Sequence, residues 1–150
     1  MTQLPFLERS LRVLFPAVVV GSLYLLFAGH NQPGGGFVGG LVAGAAIALR
    51  YLAGGMAEVR GLSRLRPWTI LGAGITLAAI TALLPLLVGD PVLTSLGRSF
   101  DPPLLGPVYA STTLAFDIGV YLVVVGLVFM AFEAFGDDEP EAEADATVAQ

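Results

Sequence analysis

Four stretches of about twenty predominantly apolar residues limit what this chain can fold into. A bilayer core about 30 Å thick is crossed by about 20 residues of helix, and no water is available there to satisfy backbone N–H and C=O groups. The stretches run from about Leu11 to Ala28, Gly36 to Gly54, Trp68 to Val88 and Ala110 to Ala134. They predict an all-α integral membrane bundle of four transmembrane helices. Composition agrees, because 55% of the 150 residues are hydrophobic and 13% are charged, where a water-soluble domain carries about a quarter charged. The first stretch could mimic a signal peptide, but it runs into GHNQPGGG with no small-residue cleavage site, so it is read as retained. No repeat is recognisable, which argues against an inverted-repeat transporter within one chain.

Charge placement gives the expected orientation. Arg9 and Arg12 precede the first span, Arg50 lies near the end of the second, and Arg60, Arg64 and Arg66 follow it. Only Arg98 falls in the third connection. Basic residues near span ends stay on the cytoplasmic side, so both termini are expected there, with Trp68 as an interfacial anchor. The formal net charge of -5 is misleading. Seven of the twelve acids lie at or after Glu133, so the acidity belongs to the end of the chain. The expected organisation is a four-helix transmembrane domain over 1–136 and an acidic, disordered cytoplasmic tail over 137–150, whose composition cannot bury enough apolar surface to order itself.

Several chemistries are excluded. Seven scattered Arg residues and no Lys form no basic stripe for nucleic acid. With no Cys and one His, disulfides, thiolate catalysis and Cys-based metal sites are ruled out, and no metal or cofactor is expected. No nucleophile–base pair, HExxH or dinucleotide fingerprint is present, so enzymatic activity is not expected.

Residues 29–44, GHNQPGGGFVGGLVAG, hold seven glycines in sixteen positions. Gly36, Gly40 and Gly44 repeat at i+4, as do Gly35, Gly39 and Ala43, and small residues in such rows let another helix backbone come close. The partner could lie in this chain or in another subunit. Two other readings fit the same turn: an anion held at the helix start, which the lack of GK[ST] and of any Lys disfavours, or carbonyls lining a cation route. His30 and Asn31, before Pro33, could bond loop backbone or a neighbouring subunit, and His30 could also relay protons.

Asp117 lies inside the fourth span with Thr113 and Tyr121 at i-4 and i+4. A carboxylate facing lipid would cost about 2.5–3.5 kcal/mol or more, so it should face protein or a hydrated cavity. Ion or proton handling and structural hydrogen bonding both remain open. Arg50 and Glu133 sit near cytoplasmic helix ends, where snorkelling accounts for them; a mutual contact is conceivable. Pro16 and Pro85 should kink the first and third spans. The third connection, about Gly89 to Val108, carries Pro91, Pro102, Pro103 and Pro107; a connection this long usually has a packing or functional role.

Two segments, GHNQPGGGFVGGLVAGAAIALRYLAGG at 29–55 and FDIGVYLVVVG at 116–126, resemble the MnhB (MrpB) family, a small subunit of the Mrp-type multisubunit sodium/proton antiporter. The similarity extends over about residues 10–135 and leaves out the acidic tail. It implies a multi-pass protein of the bacterial cell membrane, working with the other antiporter subunits in a complex that exchanges Na⁺ for H⁺. Related domains in membrane-bound hydrogenase-like or complex-I-like assemblies leave a purely structural adaptor as the alternative. The family pattern falls on His30, Asn31, Pro33, Gly34, Gly35, Gly36, Gly39, Gly40, Phe116, Asp117 and Gly119. Of these and their neighbours, Asp117, His30, Thr113 and Tyr121 are the candidates for an ion or proton path. Gly35, Gly36, Gly39, Gly40, Gly44, Pro33, Asn31, Phe116 and Gly119 are the candidates for subunit packing.

Overall fold

A computed structural model describes residues 5–29, 34–63, 65–95, 97–100 and 108–136. Four helices dominate it: α1 (Pro5–Ala28), α2 (Gly36–Leu62), α3 (Pro67–Leu83) and α4 (Thr112–Gly136). Among the described residues, three apolar segments are long enough to cross a membrane, at Gly36–Leu62, Pro67–Leu87 and Thr112–Phe135, while the apolar part of α1, Val13–Ala28, is shorter. The tail, together with His30, Asn31, Pro33 and Arg64, lies outside the described residues.

The boundaries move from those expected for identifiable reasons. Proline lacks an N–H and cannot continue the α-helical ladder, so α3 ends at Leu83 and Pro85 falls in a short 3₁₀ turn, Leu84–Val88. Just before it, the Thr81 hydroxyl donates back to the carbonyls of Leu77 and Ala78, at 2.8 and 3.1 Å. Pro16 stays within an uninterrupted α1. The third connection contains a feature that an all-helical expectation omits, an antiparallel pair of short strands, β1 (Gly97–Phe100) and β2 (Val108–Ser111). Helix α2 runs past the expected Gly54, but its backbone breaks at Gly54 and Gly55, the latter at φ 68°. Arg50 and Glu58 face each other across that break at 2.8 Å. The Arg50 guanidinium lies 5.2 Å from the Phe15 ring centroid, so its partners are Glu58 and Phe15 and not Glu133.

The helices pack in the order α1, α2, α4, α3. Helix α2 is the most enclosed, with 44% of its span buried against 11% for α3 and 17% for α4. Its glycines are the cause. Gly36, Gly40 and Gly44 turn to α4: a Cβ on Gly36 would run into the Asp117 backbone, one on Gly40 would stand 2.8 Å from Val124, and one on Gly44 2.9 Å from Val128. Gly39 turns to α1, where a Cβ would come within 2.8 Å of the Ser22 carbonyl. Both rows are therefore covered within the chain.

A second glycine seam joins α4 to α3. A Cβ on Gly119 would meet Ala78, one on Gly126 would meet Leu71, each at 2.7 Å, and one on Gly74 would come within 2.6 Å of the Val123 nitrogen. Large apolar side chains remain exposed on the outer faces, among them Val20, Tyr24, Phe37, Leu41, Ile75, Ile80 and Leu127, a surface suited to lipid or to other subunits. Gly126→Leu should force α3 away and lower stability by about 1–3 kcal/mol, the usual cost of overpacking. Gly72→Leu, at a position open to space, should leave the denaturation midpoint in detergent nearly unchanged.

Candidate functional site

The site forms where α1 ends, α2 begins and α4 passes between them and α3. After α1 the chain returns so that the Gly35 amide donates to the Leu25 carbonyl at 2.9 Å. Gly35 stands at φ 96°, in the left-handed region, which a residue with a Cβ adopts only under strain. It stands beside α4, where a Cβ built on it would lie in ordinary contact, 3.4 Å from Asp117 Oδ1. The Asp117 carboxylate thus rests against the N-cap of α2.

That placement carries an electrostatic argument. The first N–H groups of a helix have no intrahelical acceptor, and the macrodipole places positive partial charge at that end. The first turn of α2 has no acidic residue and Gly35 supplies no side-chain cap. Asp117, half-buried and about 8 Å along α4 from Thr112, brings a carboxylate to this end from another helix.

Thr113, Asp117 and Tyr121 of α4 do not act together. Residues four apart on an α-helix advance by about 40° around the axis, and each side chain finds a different partner. Thr113 is exposed and donates to Ser95 Oγ at 3.1 Å. Asp117 meets α2. Tyr121 shares a hydrogen bond of 3.1 Å with Ser22 Oγ of α1, and Ser22 also donates to the Val19 carbonyl at 2.8 Å. Ser22 is fully buried, and nothing in the apolar run of α1 marks it out except its being the one hydroxyl of Ser or Thr between Leu11 and Ala28.

Phe116 turns away from the α2 start. With Thr81, Leu93, Thr94, Thr112 and Thr113 it borders a cavity of about 50 Å³ beneath the third connection. Gly119 faces α3, not α2. Among the described residues no three His, Asp, Glu or Cys side chains gather as a metal site would require.

A family model described as "Domain related to MnhB subunit of Na+/H+ antiporter" matches residues 6–130. The chain belongs to the MnhB family. Similar proteins include a Na(+)/H(+) antiporter subunit of Bacillus subtilis, 38% identical over 89% of this chain and 93% of that protein. The corresponding antiporter subunit of Alkalihalophilus pseudofirmus is also 38% identical, over 89% of this chain and 92% of its own length. Among solved structures, a chain of the Mrp complex from Dietzia sp. DQ12-45-1b superposes with a TM-score of 0.74 at 37% identity, over 87% of this chain. That chain is much longer, and the match spans 14% of it. The MnhB match takes in the α2 start, Ser22 and the whole Asp117–Tyr121 segment of α4.

Removing one member of the Ser22–Tyr121 pair should cost little, because interhelical hydrogen bonds in membranes average about 0.6 kcal/mol. Tyr121→Phe, Ser22→Ala and the double variant, compared in a double-mutant cycle of detergent unfolding, should give a coupling of about that size.

Proposed function

We infer that this chain is the MnhB (MrpB) subunit of an Mrp-type multisubunit Na⁺/H⁺ antiporter, a multi-pass protein of the bacterial cell membrane assembled with the other antiporter subunits. It works as part of a transporter and catalyses no covalent chemistry. The observation that carries this reading is the nearly full-length similarity to proteins named as Na⁺/H⁺ antiporter subunits, joined by the likeness to a chain of an Mrp complex. The chain's own poverty in charge supports it: among the described span residues Asp117 and the Arg50–Glu58 pair are the ionisable groups set well inside a helix, whereas a complete proton path normally uses several. Partners must provide the remainder.

In this reading α1 to α4 all cross the membrane and both termini are cytoplasmic, with residues 137–150 as a solvated tail. Helix α1 is about 36 Å long at 1.5 Å per residue, which suffices to span even though its apolar part is shorter. The distribution of Arg supports the orientation, six against one. Asp117 contributes to a hydrated ion path shared with a neighbouring subunit. A second reading rests on the placement of its carboxylate at the start of α2: Asp117 then serves helix packing alone, and the subunit is an adaptor without ion contact.

Asp117→Asn keeps size and shape while removing the charge. The complex should co-purify intact and its Na⁺/H⁺ exchange in vesicles should fall at least tenfold; full exchange by the assembled variant would decide for the adaptor. Orientation is tested with single cysteines. Gly61→Cys, in the last turn of α2, should react with a membrane-impermeant maleimide only from the cytoplasmic side, and Val92→Cys only from the outer side.

A further inference from the structure

Beyond the break at Gly54–Gly55, the last part of α2 borders a half-open cavity that the antiport reading does not use. Its volume is about 240 Å³. The walls come from three places: Met56, Val59 and Arg60 of α2, the connection with Ser63, Leu65 and Arg66 leading to Pro67 at the start of α3, and Phe129 and Glu133 of α4. The connection is shaped by Ser63, whose hydroxyl accepts the Leu65 amide at 3.1 Å and donates to the Leu65 carbonyl at 3.2 Å. Arg60 and Arg66 are exposed at its edge, and the Arg66 guanidinium lies 5.2 Å from the Trp68 ring centroid, with Trp68 itself exposed.

We propose that this cavity binds an anionic phospholipid, with the headgroup phosphate at Arg60 and Arg66 and acyl-chain carbons against Met56, Leu65 and Phe129. The lining has the two halves such a ligand requires. Guanidinium groups suit phosphate because their planar donors can form paired, charge-assisted hydrogen bonds, and basic pockets between transmembrane helices on the cytoplasmic side suit acidic headgroups. Apolar walls favour a lipid over a free anion, since a phosphate ion would gain nothing from Met56 or Phe129. Trp68 beside Arg66 marks the level of the headgroups, where aromatic anchors concentrate. Glu133 on the wall repels the phosphate, so the proposal fixes a sign: neutralising Glu133 strengthens binding. The cytoplasmic level of the cavity rests on the orientation proposed above, but binding in detergent does not, so the cysteine labelling and the following test fail separately.

The test uses the full chain purified with its partner subunits in mild detergent and a phosphatidylglycerol carrying a photoreactive acyl chain. Crosslinks mapped by peptide mass spectrometry should fall on Met56, Leu65 and Phe129. The Arg60→Ala/Arg66→Ala variant should lower that labelling about tenfold or more, Glu133→Gln should raise it, and the matching phosphatidylcholine should label weakly. Equal labelling by phosphatidylcholine, or no response to either variant, would overturn the proposal. So would labelling that inorganic phosphate abolishes, which means a free-anion site, or labelling that appears only after residues 137–150 are removed, which means that the acidic tail is the occupant.

Discussion

Contact between helix backbones, with no side chain interposed, is the constraint on which the bundle depends. In a bilayer, apolar side chains gain little by leaving lipid for protein, so association depends on how closely helices can approach and on a few polar contacts. Helix α4 lies between two neighbours at once, receiving Gly36, Gly40 and Gly44 of α2 on one side and offering Gly119 and Gly126 to α3 on the other. The position of Asp117 follows from this. Its backbone is the surface against which Gly36 packs, and its carboxylate reaches Gly35 because the two helices are that close.

Much of the architecture is legible in residue patterns, and the reasons are physical. The i+4 glycine rows of α2 announce two close faces, and both exist. Which helices fill them is not legible, because small residues permit an approach without naming the partner; α4 meets Gly36, Gly40 and Gly44, and α1 meets Gly39. The α3–α4 seam escapes a reading of the sequence, since Gly74, Gly119 and Gly126 are spread over two helices and form no dense cluster along the chain. Ser22 escapes it for a related reason, as a lone hydroxyl in an apolar run is neutral until a partner such as Tyr121 is in place. The polar stripe of Thr113, Asp117 and Tyr121 is legible as spacing but not as partnership. The helix turns enough between them to send each side chain to a different element.

Two levels of α4 have different characters. Toward the third connection it carries Asp117 and Tyr121, held by α2 and α1, and the chemistry there is that of a single carboxylate among helix ends. At the far end, Phe129 and Glu133 face the terminal turns of α2 with Arg60, and Arg66 beyond them, and Phe132 stacks obliquely on Tyr51 with ring centroids 5.0 Å apart. The glycine seams lie between these levels.

The pairing of Arg50 with Glu58 gives α2 a division of labour. Opposite charges eight residues apart would be more than two turns distant on an unbroken helix, and they meet because the backbone gives way at Gly54 and Gly55. The pair is electrically neutral as a unit, so it adds no net charge to the span while fastening the two pieces of the helix together. One piece can then keep the register that the glycine rows demand, while the other takes its own direction beyond the break.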